Sequence, residues 1–262
     1  MKFVRERIVT QGRRYKDADI VHYTDEQVRR IKGTRRQALT PEKIRRQNEK
    51  NRERCLRQLL NANFADGDLR IDLTYDDKYL PDSRRQAKKD LRNYLDRLRR
   101  LFKKRGAELR YIKVTGGGRE KERGPGLTRL HHHVIVGGAD GKVSRDEIEN
   151  LWKRGRGESR RLRAERDGYT GLAKYLLRHK KDCEKNEPVY KPSQNLKPPI
   201  ETRNDSKFSE RDIRKLERAH REGTLKEEFE KLYRGWECVA AEVSVSDVSG
   251  WLNFYAKLRR KE

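Results

Sequence analysis

The chain has 262 residues, and 67 Lys and Arg against 42 Asp and Glu leave a formal net charge of +25. With 32% hydrophobic and 42% charged residues, it can fill one or two compact cores, and no stretch approaches the roughly 20 apolar residues that cross a bilayer. The positive excess runs through many segments instead of forming one amphipathic anchor, so a nucleic acid suits it better than an acidic membrane surface.

Met1–Arg13 is basic but lacks a sustained apolar stretch and a small-residue cleavage site, so no secretory signal is expected. Met1–Val9 predicts a short strand, and Asp17–Ala38 mixes polar residues with turn formers. Thr40 and Pro41 open a helix running to about Leu60, because threonine caps free backbone donors and proline needs no donor at the first position. Its stripe of Ile44, Cys55, Leu56, Leu59 and Leu60 is patchy, and its basic face fits DNA contact or plain solvation equally. Leu69, Ile71, Leu73 and Tyr75 alternate with polar residues, the period of a strand with one buried face. After a turn at Asp76–Ser83, Ala87, Leu91, Tyr94, Leu95, Leu98, Leu101 and Phe102 recur at three and four, which marks an amphipathic helix. The opposite, Arg- and Lys-rich face of this Ser83–Arg105 helix is read as a contact for a nucleic-acid backbone.

Leu109–Val114 predicts a strand ending at Gly116-Gly117-Gly118, and a charged connection leads to the apolar strand Leu130–Val136. Ser144 with Glu147 three residues on is a capping-box pattern. A short strand at Arg161–Ala164 and a helix at Thr170–Lys180 follow. Asp182–Ser206 holds most of the prolines and reads as an extended linker, Ser209–Leu232 as helix, and Val239–Val245 with Trp251–Leu258 as a closing hairpin. The order predicts an α+β fold: a mostly antiparallel central sheet with helices packed on one face, a basic N-terminal helix and a C-terminal helical and hairpin extension. The isolated cysteines Cys55, Cys183 and Cys238 form neither a disulfide framework nor a zinc-ligand pair, in keeping with a reducing, cytoplasmic setting.

Three consecutive histidines, His131, His132 and His133, lie in the apolar strand. Side chains alternate along a strand, so His131 and His133 share a face and His132 points away. Two imidazoles about 6.5–7 Å apart at Cα can converge on one divalent ion. Buried without such a partner they would cost burial energy, so a metal site is favoured over two structural histidines. In the later helix, Tyr175 and Arg178 stand at i and i+3 on one face with His179 one position further round. A phenol is a poor nucleophile near its ordinary pKa of about 10, and a metal-polarised phosphate and a nearby cation both help it attack. Tyr169, at the helix start where the backbone dipole favours an anion, is the second candidate nucleophile.

Arg129-Leu130-His131-His132-His133-Val134-Ile135-Val136 resembles the histidine–any–histidine strand of the HUH endonucleases, and Ala173–Lys181 resembles their tyrosine motif, in which Lys follows Tyr by three. Leu73-Thr74-Tyr75, Arg145–Trp152 and Ser193–Pro199 extend the likeness to the rolling-circle replication-associated proteins of bacterial phages, plasmids and integrative elements. The resemblance covers about Leu69–Pro199. It implies that His131 and His133 hold Mg²⁺ or Mn²⁺ at the scissile phosphate of single-stranded DNA at a replication origin. It further implies that Tyr175 attacks to give a 5′-phosphotyrosine and a free 3′-hydroxyl that primes synthesis.

Two departures bear on this. Arg178 stands where relatives have Lys, keeping the charge but giving up proton transfer, with Lys180 and Lys181 nearby. Gly116 stands where many relatives have a ligating Glu, leaving Glu120, Glu122 and Asp72 open as a third ligand. Histidines preceding the tyrosine by about forty residues argue against a conjugative relaxase. A single-tyrosine transposase and a non-catalytic DNA-binding protein of the same fold are the alternatives. The expected division is a basic extension (1–65), an HUH-like nuclease domain (66–183), a linker (184–206) and a C-terminal extension (207–262). That extension fits dimerisation, contact with host replication proteins or capping of the sheet equally.

Overall fold

The computed structural model describes residues 2–24, 40–118, 129–183, 187–245 and 251–261. Its strands are β1 (Lys2–Gln11), β2 (Tyr15–Thr24), β3 (Leu69–Thr74), β4 (Arg110–Gly116), β5 (His131–Gly137), β6 (Gly157–Arg161), β7 (Tyr190–Pro192), β8 (Ile200–Asn204), β9 (Trp236–Val245) and β10 (Leu252–Arg260). Its α-helices are α1 (Pro41–Asn63), α2 (Arg84–Lys104), α3 (Arg145–Asn150), α4 (Thr170–Leu177), α5 (Glu210–Arg221) and α6 (Leu225–Leu232). The strands form two five-stranded sheets in which every described pairing is antiparallel, so the α+β class holds. Each sheet anchors its own unit, one of residues 1–62, 165–168 and 198–262, the other of 63–164 and 169–197.

The second unit carries the histidines. Its sheet runs β6-β3-β5-β4-β7. Leu69, Ile71 and Leu73 of β3 and Val134 and Val136 of β5 join Leu91, Tyr94, Leu95, Leu98 and Phe102 of α2 in one core, each buried side chain contributing about 1.5–3 kcal/mol. Ser83 caps α2 by accepting from the Gln86 amide at 3.2 Å. At α3 the capping box forms in full, Ser144 and Glu147 each bonding the other's backbone N–H. Val134, Ile135 and Val136 are all buried, so β5 is covered on both faces. The short strand near residue 160 lies at Gly157–Arg161, earlier than the sequence suggests, because its polar residues give no period at an exposed sheet edge. The tyrosine helix ends at Leu177, and Arg178–Asp182 continues as a 3₁₀ turn.

The other unit has the sheet β8-β1-β2-β10-β9. Val4, Ala18, Ile20, Phe254, Ala256 and Leu258 pack with Ile213, Leu216 and Ala219 of α5 and Leu225 and Phe229 of α6. The sequence reading places no strand at 15–24, since Asp17 and Asp19 disguise the alternation. Both are spoken for: Asp17 Oδ2 accepts from Arg57 at 2.5 Å and Gln58 at 2.7 Å, and Asp19 pairs with Arg54 at 2.5 Å, all from α1. The segment read as a linker supplies β7 and β8, edge strands whose prolines are tolerated because an edge leaves one backbone side unpaired. The two ends of the chain, read as separate extensions, share this one sheet through β2 and β10.

Candidate active site

The chemistry gathers on the face of β5 turned away from α2. In the antiparallel register, His133 lies opposite Asp72 of β3 and Val114 of β4, and His131 lies opposite Thr74 and Gly116. His179, from the 3₁₀ turn after α4, completes a cluster in which the ligand atoms of His131, His133 and His179 all lie within 4.8 Å of one another. The structure thus brings the two strand histidines together as the sequence predicts and adds a third.

Each imidazole is held from behind. His131 Nδ1 sits 2.7 Å from the Arg129 carbonyl, His133 Nδ1 2.6 Å from Asp72 Oδ1, and His179 Nδ1 3.0 Å from Asp182 Oδ2. A carbonyl or an ionised carboxylate only accepts, so Nδ1 carries the proton in the strand pair and Nε2 is left as the ligand atom. This backing is what metal-binding histidines commonly have. Asp182 also accepts from the Gly117 amide at 2.9 Å, tying the His179 turn to the end of β4. The second oxygen of Asp182 is buried and has no hydrogen-bond partner among the described residues, a cost that a nearby cation offsets. The residues therefore fit a metal ion.

Gly116 explains itself in this setting. A Cβ there would stand 2.6 Å from His131 Nε2 and closer still to His179 Nδ1. The position is a floor for two rings, and a bulkier side chain cannot share it. Asp72, one of the open third-ligand candidates, instead supports His133 from behind. Glu120 and Glu122 fall outside the described residues, as do the side chains of Lys180 and Lys181.

His132 points the other way and is fully buried. Tyr75 Oη lies 2.9 Å from its Nε2 and Thr115 Oγ1 3.0 Å from its Nδ1. Burial, joined by its two histidine neighbours, pushes its pKa down to about 3, so it stays neutral. Burial likewise lowers His131, which keeps that imidazole available as a neutral ligand.

Tyr175 projects from α4 to this same face, its Oη 3.4 Å from His133 Nε2. Tyr169 is buried at the helix start with only 4% exposed, which leaves Tyr175 as the phenol at the histidines. Burial first, then the Asp72 carboxylate, raises the Tyr175 pKa, while Arg70, Arg160 and Arg178 act to lower it. Arg178 itself is exposed at the helix C-cap. Arg70 is the closer partner: its guanidinium carbon lies 4.9 Å from the Tyr175 ring centroid, and its Nη2 donates to Asp72 Oδ2 at 2.9 Å. Burial opposes ionisation of Asp72, yet the bonds to His133 and Arg70 outweigh it and hold the carboxyl below its ordinary value. Arg70, Asp72, His133 and Tyr175 thus form a closed circuit. Sequence reasoning missed Arg70 and Asp182, since neither stands in a motif; His179 is visible there as the neighbour of Tyr175 but not as a partner of the strand.

Residues 68–181 match a family model described as replication-associated protein, of the ORF2 type. The matched segment begins just before β3 and ends in the turn that carries His179, so it contains every residue of the cluster. Searches of curated proteins and of solved structures found no match. No helix among the described residues is long and apolar enough to cross a membrane.

Proposed function

We propose that this chain is a rolling-circle replication initiator of a mobile element, a metal-dependent enzyme that nicks and rejoins single-stranded DNA through Tyr175. The observation that carries the reading is the Tyr175 oxygen standing 3.4 Å from a nitrogen of a three-histidine cluster. The similarity of 68–181 to a replication-associated family supports the replication setting.

His131, His133 and His179 would hold the ion, and an all-imidazole set favours Mn²⁺ over Mg²⁺. The ion supplies Lewis-acid polarisation of the scissile phosphate. Arg70 fixes the Tyr175 ring, and Arg70, Arg160 and Arg178 surround the phenol with positive charge that opposes the effect of burial. Tyr175 Oη forms a bond to phosphorus, its proton passes to solvent, and the P–O3′ bond breaks with the 3′-oxygen taking up a proton. The products are a 5′-phosphotyrosine and a 3′-hydroxyl. Attack of a 3′-hydroxyl on the phosphotyrosine reverses the step and rejoins the strand, because one phosphodiester has been exchanged for another.

Incubating the protein with single-stranded origin DNA and Mn²⁺ and resolving covalent adducts on a denaturing gel tests this. The parent is expected to form the adduct, Tyr175→Phe to form none, and His179→Ala to form it only at much higher Mn²⁺. A parent that binds the strand but never cross-links would make the chain a DNA-binding protein without the chemistry, and an adduct surviving in Tyr175→Phe would move the nucleophile elsewhere.

A further inference from the structure

On the helix side of the same sheet, a cavity of about 190 Å³ is lined by Tyr79, Asp90, Asn93, Arg97, Lys153 and Arg154. Asp90, Asn93 and Arg97 follow one another at i, i+3 and i+7 and so form one stripe of α2. Tyr79 comes from the 3₁₀ turn after β3, and Lys153 and Arg154 from the loop after α3. That loop is pinned. The Asp76 amide donates to the Arg154 carbonyl at 3.0 Å, and Trp152 Nε1 donates to the Thr74 carbonyl at 2.7 Å. A Cβ on Gly155 would lie 2.6 Å from the Asp76 nitrogen and closer still to the Thr74 oxygen, so only glycine lets the loop lie this near the end of β3.

The charges in the cavity are unbalanced. Asp90 is buried and accepts from Gln86 at 3.1 Å, and its carboxylate is 3.9 Å from Arg154. Arg97 uses Nε on the Leu151 carbonyl at 3.1 Å, which orients the guanidinium while leaving its terminal nitrogens to other partners. Among the described residues no carboxylate lies within ion-pair distance of Arg97 or Lys153. Three cations facing one carboxylate form a preorganised anion site, and two guanidinium groups match the oxygens of a phosphate. Thr74, whose carbonyl anchors the loop, is the register partner of His131, so the cavity sits at the same end of β3 as the histidine cluster, on the opposite face.

We propose that this cavity is a phosphate subsite for single-stranded DNA, gripping the backbone of the strand as it continues past the scissile phosphate. The proposal rests on the reading of the histidine face as a DNA-cleaving centre, and its test is kept apart from cleavage. Binding of a fluorescent single-stranded oligonucleotide is measured by anisotropy across a salt series in EDTA, for the parent, Lys153→Gln, Asn93→Asp and, as a control of equal charge change, Lys226→Gln on α6. Lys153 and Asn93 are exposed, so the fold tolerates both changes. Lys153→Gln is expected to weaken binding several-fold and to lower the slope of log K against log salt by about 0.7, the share of one single-strand phosphate contact; Asn93→Asp weakens it further, and Lys226→Gln leaves the slope unchanged. Cavity variants that behave like Lys226→Gln would overturn the proposal. So would calorimetry in which the parent binds dAMP, the cavity variants lose it and their oligonucleotide slope stays at the parent value, since the site would then serve free nucleotides. Loss of slope together with a parent that never forms a covalent adduct would leave the subsite standing and remove the nuclease reading.

Discussion

Gly116 and Asp72 show how far single residues decide this site. Both stand among the expected third-ligand positions, one as an absence and one as a candidate, and the structure gives each another task. Gly116→Ala keeps a strand-compatible backbone but drives a methyl into the His131 and His179 rings; Mn²⁺ affinity measured by calorimetry is expected to fall at least about tenfold, the size of losses seen when a ligand's setting is disturbed. Asp72→Asn removes the acceptor charge behind His133 and is expected to cost about 10–100-fold in the same measurement. Arg70→Met removes the cation over Tyr175 and the second bond to Asp72. Its expected signature is a rate of adduct formation reduced about tenfold or more with single-strand affinity little changed, and Arg70→Lys should not restore the rate because an ammonium lacks the planar face and fork. An Arg70→Met protein that nicks at the parent rate would show that the circuit is packing alone.

Strand β5 is the element on which the site turns, since one face holds the ion-binding pair and the other locks the strand through His132. That lock has a pH signature. The unfolded imidazole takes up a proton near its ordinary pKa of about 6.5, whereas folded His132 resists until about 3. The folded state therefore binds fewer protons in that window, and stability rises with pH through it, being fully present above about 6.5 and lost progressively towards 3. Thermal melts in EDTA between pH 7.5 and 4 should show a steeper acid loss for the parent than for His132→Gln, the difference between the two curves isolating this group from the carboxylates. Equal slopes would mean that His132 titrates normally. Helix α2 illustrates the opposite outcome for a sequence reading. Its basic residues look alike in the sequence, yet Arg84 is buried and donates to the Gly117 carbonyl at 2.7 Å and the Thr115 carbonyl at 3.1 Å, so it buttresses the end of β4 and is removed from any DNA contact.

Across the whole molecule, charge and chain ends dominate. A formal +25 predicts single-strand affinity that falls steeply with salt, whatever the fate of the catalytic reading. Strand β10 lies between β2 and β9 in its sheet, and buries Phe254, Ala256 and Leu258 almost completely. Its two large apolar side chains alone represent roughly 3–6 kcal/mol of burial, a large part of the 5–15 kcal/mol typical of a folded domain. Truncation before Trp251 should therefore unfold the unit formed by residues 1–62 and 198–250, seen as rapid proteolysis confined to those peptides. Persistence of protease-resistant β1 and β2 would show that the sheet closes without β10.

What the sequence determined by itself is what local spacing can report: the period of β3 and α2, the caps at Ser83 and Ser144, the shared face of His131 and His133, and Tyr175 and Arg178 as neighbours on one helical face. The likeness of Leu69–Pro199 to a replication-associated family agrees with the match found over 68–181. Only the tertiary structure decided that His179 joins the strand pair, that Asp72 backs a ligand, that Arg70 lies over Tyr175, and that the chain's first and last strands share one sheet. Periodicity describes which side chains lie on one face of one element. Which elements meet, and in what register, is settled by burial and pairing between residues far apart in the chain, and those leave no local pattern to read.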